Sequence, residues 1–195
     1  MKQSTFSIKD LINVGLFTLL IFIFTFISGM IGFFPLAFPI VPFVGGLVSG
    51  PVFMLYFTKI HHFGMFLITG ILISLIYVAT GHTILFLLGG IFFSFCSEYI
   101  LKLGKYKNIG KARLAYAVYS LNAMFGLVPM YFTRDAFLKD LYEKGYGSEY
   151  AKQLMSVLPD WSFFPIVLSG GIGGYIGCTI GIRMLNKHFK KAGLV

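Results

Sequence analysis

The stretch LINVGLFTLLIFIFTFISGMIGFFPLAFPIVPFVGGLVSGPVFMLYFT, from Leu11 to Thr58, contains no Asp, Glu, Lys or Arg. A bilayer core of ~30 Å takes about 20 helical residues at ~1.5 Å each. The run is too long for one crossing and about right for two. The break is expected at Ser28-Gly29-Met30-Ile31-Gly32, ahead of Phe33-Phe34-Pro35, where glycine and proline punctuate. Working outward, the chain is again uncharged from Phe63 to Ser97, divided by Thr80-Gly81-His82, and two further apolar runs cover Leu114 to Thr133 and Trp161 to Ile182. The pattern predicts an all-α integral membrane protein, a single membrane domain over residues 1–195. Its six transmembrane helices are expected at about 11–30, 34–58, 63–81, 83–102, 113–133 and 161–184. The first run reads as a span rather than a signal peptide, because five more spans follow it and no small-residue cleavage site does.

Composition agrees. The 195 residues are 57% hydrophobic and only 12% charged, about half the charge of a soluble domain at ~25%, with a mean hydropathy of +0.83. An ordinary soluble enzyme and a disordered chain are both excluded. Cys96 and Cys178 lie in apolar runs and offer neither a disulfide framework nor metal spacing. The net charge of +9 does not imply nucleic-acid binding, because the basic residues are dispersed between apolar runs. Their placement reports topology instead. Lys2, Lys9, Lys59, Lys102, Lys105, Lys107, Lys111, Arg113, Arg183, Lys187, Lys190 and Lys191 fall on one side of a six-span arrangement. The positive-inside rule puts that side, with both termini, in the cytoplasm.

The loop 134–160 is the sizeable segment on the other side, and it mixes Arg134, Lys139, Lys144 and Lys152 with five acids. Leu138, Leu141 and Tyr142, then Tyr150, Leu154 and Leu158, recur at helical spacing around Gly145 and Gly147. Two short amphipathic helices over the bundle are predicted, either a lid for a bound solute or a plain surface cap.

Polar residues near the outer helix ends are the candidates for solute contact. His82 stands between Thr80 and Thr83, where it either caps a helix or binds a ligand. Asn122, one turn from Tyr119, lies inside an apolar run. Its amide must bond either a neighbouring helix or a ligand. Arg134 and Asp135 pair with each other, anchor at headgroups, or hold an anionic or amide group. Asp160 and Trp161 open the last helix, with the tryptophan an interface anchor or a stacking platform. In that helix Gly173, Gly177 and Gly181 recur every fourth residue, a flat stripe for close approach of a helix in the same bundle. Glu98 is expected to pair with Lys102 at i,i+4.

Motifs for catalysis are missing. The chain has no G-x-x-x-x-G-K-[ST], H-E-x-x-H or G-x-S-x-G and no paired intramembrane acids. The expectation is a non-enzyme without cofactor or metal, which binds or conducts a solute. A stand-alone facilitator or channel is the alternative to a binding subunit.

Several strings, in order along nearly the whole chain, carry a family likeness. They are Ile8-Lys9-Asp10-Leu11-Ile12-Asn13-Val14-Gly15, Thr80-Gly81-His82, Gly104-Lys105-Tyr106-Lys107, Tyr116-Ala117-Val118, Pro129-Met130 with Arg134-Asp135, and Lys187-His188-Phe189-Lys190-Lys191-Ala192-Gly193. The chain resembles the substrate-binding S components of energy-coupling factor (ECF) transporters, and among them the subfamily named for treponemes and streptococci. The resemblance implies a subunit of a bacterial plasma-membrane ABC importer, which captures a vitamin-like or other small metabolite at its outer face. It implies partners as well, namely a membrane coupling subunit and two ATPases. Family sites draw on the loop after helix one and the outer ends of helices four to six. Here those regions hold Ser28, His82, Tyr119, Asn122, Arg134, Asp160 and Trp161. Family docking uses a small-x-x-x-small motif on helix one. Gly15 fits its first place and Leu19 fills the second, which shifts the expected docking surface toward Asn13 and Thr18.

Overall fold

The structure, a computed structural model, describes residues 6–189. Lys2, Lys190, Lys191 and the tail residues Ala192 and Gly193 lie outside them. All regular structure among the described residues is helical. The first helix, α1 (Ile8–Gly29), opens with a capping box, in which the Ser7 hydroxyl accepts the Asp10 N–H and the Asp10 carboxylate accepts the Ser7 N–H. At Gly29 the chain tightens into the short 3-10 helix Met30–Phe33. The break therefore falls in the predicted glycine segment. The second apolar run differs from expectation at its start. Pro35 and Pro39 hold Pro35–Ile40 as a 3-10 helix, and α2 (Val41–Phe57) begins only after it.

Next come α3 (Met65–Ala79) and α4 (Leu85–Leu103). The fifth predicted helix is not continuous. It divides into α5 (Ile109–Ser120) and α6 (Ala123–Phe132), with Leu121 and Asn122 in a turn between them. The loop 134–160 forms the two short helices α7 (Arg134–Glu143) and α8 (Ser148–Ser156). The last long helix is α9 (Phe163–Met184), which runs into the π-helical turn Leu185–Phe189. Five stretches are long and apolar enough to cross a membrane: Ile8–Phe33, Pro35–Phe57, Leu85–Leu103, Ile109–Phe132 and Asp160–Lys187. The α3 helix is also apolar but shorter.

Contacts fix which ends lie together. His62 Nε2 stands 3.7 Å from the Asp10 carboxylate, and Glu98 reaches the first amides of α3. These contacts gather the starts of α1 and α3 with the end of α4 at one end of the bundle, which we call the basic end. At the other, the lid end, Tyr150 donates to the Gly32 carbonyl at 2.7 Å and Lys144 to the Gly81 carbonyl at 3.3 Å.

The axis of the molecule is the contact between α2 and α9. A Cβ on Gly46 would sit 2.6 Å from the Gly170 carbonyl oxygen, and one on Gly50 2.5 Å from the Gly177 carbonyl carbon. Backbone meets backbone there, so the predicted glycine stripe packs inside the bundle. Its partner is the Gly46-x-x-x-Gly50 pair of α2. On its other side, α9 uses Gly170, Gly171 and Gly174 to admit α5 at Ser120 and Leu121. The core has two parts. Phe53, Tyr56, Phe66 and Tyr116 centre the larger one, with Phe53 stacked on Tyr116 at 4.4 Å and Phe17 on Tyr56 at 4.7 Å. The smaller part, Leu127, Leu154, Leu158, Phe163, Ile166 and Val167, lies under the lid.

Glu98 overturns an expectation. Its side chain is fully enclosed and does not pair with Lys102, whose ammonium instead lies 5.3 Å over the Phe63 ring. The carboxylate accepts the backbone N–H groups of Phe66 and Leu67 at 2.8 and 2.9 Å and the Tyr106 hydroxyl at 3.1 Å. The first amides of any helix lack intrahelical partners and carry the positive end of its dipole. A carboxylate on α4 answers both needs for α3. The turn that returns Tyr106 to Glu98 places Lys105 and Tyr106 at φ of 50° and 55°, a region uncommon for residues with a Cβ.

Candidate functional site

The predicted residues separate into three groups. One forms a polar and aromatic cluster inside the lid end. Tyr77 of α3 stacks on Phe86 of α4 at 5.0 Å and meets the His82 ring edge-on at the same distance, while its hydroxyl donates to Thr25 of α1 at 3.0 Å. Phe86 in turn lies against Gly126 of α6, where an added Cβ would come within 2.5 Å of its ring. His82 Nδ1 stands 3.3 Å from the Thr80 hydroxyl. His82 is exposed, yet desolvation by its neighbours, then the nearby Lys144 ammonium, lowers its pKa below the usual value.

One turn further from the lid is Asn122, at the break between α5 and α6. It is 7% exposed, and its enclosed Oδ1 has no hydrogen-bond partner. Gly89 of α4 and Phe125 face it so closely that a Cβ at residue 89 would overlap both the amide oxygen and the ring. An enclosed amide without a partner costs on the order of 1–3 kcal/mol. Tyr119 is buried close by, with its ring 5.0 Å from Phe66 in the larger core. The Asn122 backbone N–H donates to the Tyr119 carbonyl at 2.9 Å.

The second group closes the lid loop on itself. Arg134, at the start of α7, donates to the Met130 and Leu158 carbonyls at 3.1 and 3.2 Å and to the Asp160 carboxylate at 3.0 Å. Its ion partner is therefore Asp160 rather than Asp135. With Asp160 89% exposed, the pair itself adds only ~0–1 kcal/mol. Its role is geometric, joining the two ends of the segment 134–160. Trp161 is 75% exposed near the start of the last apolar stretch, Asp160–Lys187.

The third group is dispersed. Ser28 is buried, and its hydroxyl donates to the Phe24 carbonyl of its own helix at 2.8 Å. On α1, Asn13 is half-buried, and a Cβ at Gly15 would meet nothing within 4 Å. Thr18 points inward, 3% exposed, with an unpartnered hydroxyl. Thr18 and Gly15 are i,i+3 neighbours on the helix surface, yet Thr18 is enclosed by the bundle while Gly15, at the edge of that face, is half-buried. Sequence reasoning missed Tyr77, Phe86 and the hooks from Lys144 and Tyr150. Tyr77 had one usable signal, its place one turn before Thr80-Gly81-His82.

A model of a family described as a hypothetical bacterial integral membrane protein, Trep_Strep, matches residues 8–191. Neither the curated proteins nor the solved structures contain a match to the chain. With several apolar helices long enough to cross a bilayer and a family match over almost its whole length, this multi-pass membrane protein belongs to the Trep_Strep family of bacterial integral membrane proteins.

Proposed function

We propose that the chain is the solute-capture subunit of an ATP-driven importer in the bacterial plasma membrane, an S component of the ECF type. In this reading it crosses the membrane six times, with α3 as the short crossing, and keeps both termini and the lysine-rich turns in the cytoplasm. The lid and the cluster beneath it face outward. The observation that carries the reading is Asn122, whose enclosed Oδ1 has no hydrogen-bond partner, near the Tyr77, Phe86 and His82 rings of the lid end. A solute with a hydrogen-bonding group and a flat apolar face would satisfy Asn122 and rest on Tyr77, Phe86 and His82. Arg134 and Asp160 hold the lid closed over it. Packed rings of Phe53, Tyr56, Phe66 and Tyr116 fill the bundle toward the basic end, which favours capture at one face over a continuous conducting path. The energy for release then comes from the coupling subunit and two ATPases, the coupling subunit docking along α1 around Asn13 and Gly15, without the enclosed Thr18.

Purification of the tagged chain from its native membrane, with mass spectrometry of what accompanies it, tests the proposal. A membrane coupling subunit, two ATPases and a small metabolite are expected. Asn122→Ala should lower solute retention at least tenfold while leaving the melting temperature unchanged or raised, since it removes an unpaired buried group. Solute flux into vesicles holding this chain alone, with no ATPase bound, would favour a facilitator instead.

A further inference from the structure

A groove runs along the lipid-facing seam between α5 and α9. Its walls are Leu114, Val118 and Leu121 on one side and Leu168, Ile172 and Ile176 on the other, and it holds about 430 Å³. From Leu114 to Leu121 it extends about 10 Å at ~1.5 Å per residue, so it stays within about one leaflet of a ~30 Å hydrocarbon core. At its basic end stands Arg113, half-buried. The guanidinium lies 5.0 Å over the ring of Tyr175, which also lines the groove. Its Nε is enclosed and lacks a hydrogen-bond partner, and no carboxylate lies within ion-pair distance of it among the described residues.

The acids cannot serve Arg113. Five of the seven, Asp135, Asp140, Glu143, Glu149 and Asp160, belong to the lid segment. Asp10 is held by Ser7 and His62, and Glu98 is enclosed against α3. The ends of the two helices carry only more cations, with Lys105 and Lys107 before α5, Lys111 in its first turn, Arg183 in the last turn of α9 and Lys187 just after it. A guanidinium has five donors and no acceptor, and phosphate is the anion its fork fits. The lipid bilayer presents phosphate at this depth, attached to acyl chains that match an apolar groove.

We infer that the α5–α9 groove is a binding site for an anionic phospholipid, with one acyl chain along the groove and the headgroup phosphate on Arg113 over Tyr175. The site is independent of the lid and of the solute reading. The excess of basic side chains around it selects an anionic headgroup over a zwitterionic one of the same acyl length.

The full chain, purified and exposed to equimolar phosphatidylglycerol and phosphatidylcholine with identical acyl chains, provides the test by native mass spectrometry. The expected result is a roughly fivefold preference for retained phosphatidylglycerol, the scale of one basic side chain at an anionic lipid surface. Arg113→Gln should remove the preference, and Arg113→Lys should keep much of it. Ala117 also lines the groove, so Ala117→Phe places a ring in it and should reduce retention of both lipids. Equal retention of the two lipids by the unaltered protein would overturn the inference. So would an unchanged preference in Arg113→Gln, or unchanged retention in Ala117→Phe.

Discussion

The α2–α9 seam and the lid end join helices in opposite ways. Along the seam, Gly46 and Gly50 meet Gly170, Gly173, Gly174 and Gly177 with no side chain between the backbones. At the lid, separate elements are joined by one small apolar cluster and a few hydrogen bonds to single carbonyls, Tyr150 on Gly32, Lys144 on Gly81 and Arg134 on Leu158. Lipid provides no hydrophobic drive between helices, so close backbone contact is what holds a bundle together inside a bilayer. A lid in water can be held more weakly, and weak attachment is what lets one part open while another does not. The contrast predicts permanence for the seam and motion for the lid.

The sharpest way to break that contrast is to put a side chain into the seam. Gly177→Leu should abolish recovery of folded protein, because the nearest atoms are the backbone of Leu47 and Gly46, which cannot yield. Gly177→Ala is the graded version, expected to cost at least the ~1–3 kcal/mol of an overpacked core. Gly147→Ala in the lid segment, where a Cβ meets nothing within 4 Å, should change the melting temperature in detergent by no more than a degree or two. Equal effects at the two positions would mean that the seam is looser than its geometry.

Glu98 sharpens the comparison from the other side, as a polar contact that behaves like the seam. Glu98→Ala leaves the Phe66 and Leu67 amides enclosed without acceptors, at ~1–3 kcal/mol for each buried unsatisfied donor. Glu98→Gln keeps an acceptor oxygen and should recover part of that loss. Denaturant unfolding of the three proteins gives the order native, Gln, Ala. A Glu98→Ala protein as stable as the native one would show that water already reaches the start of α3.

The apolar runs and the change from Gly29 to Pro35 were legible because hydrophobic length and turn residues act locally. What sequence could not supply was partnership. The Gly173–Gly177–Gly181 stripe announced close packing without naming α2, although Gly46 and Gly50 repeat at the same interval. Glu98 was misread because the i,i+4 rule presumes a solvated helix face, whereas this residue looks into the bundle. Asn122 looked mid-helical because its neighbours are apolar, and the break between α5 and α6 shows only in three dimensions. The lid hooks end on the carbonyls of Gly32 and Gly81, and a carbonyl is carried by every residue. No side-chain pattern could mark these two.

The gentlest change tests the lid alone. Tyr150→Phe removes one hydroxyl, and with it the 2.7 Å bond that ties α8 to the turn after α1. The net loss should be ~1 kcal/mol, about a fivefold rise in the open population. Hydrogen exchange should quicken across residues 134–160 and stay unchanged in α2 and α9, since the small apolar cluster of Leu154 and Leu158 still seats α8. Tyr131→Phe is the matched control. Its hydroxyl pairs with Ser162 at 2.6 Å inside the base of the lid, so its loss should loosen the start of α9 rather than α8. If Tyr150→Phe accelerates exchange in α9 as much as in the lid, the two regions unfold as one unit. The lid then opens only when the seam does.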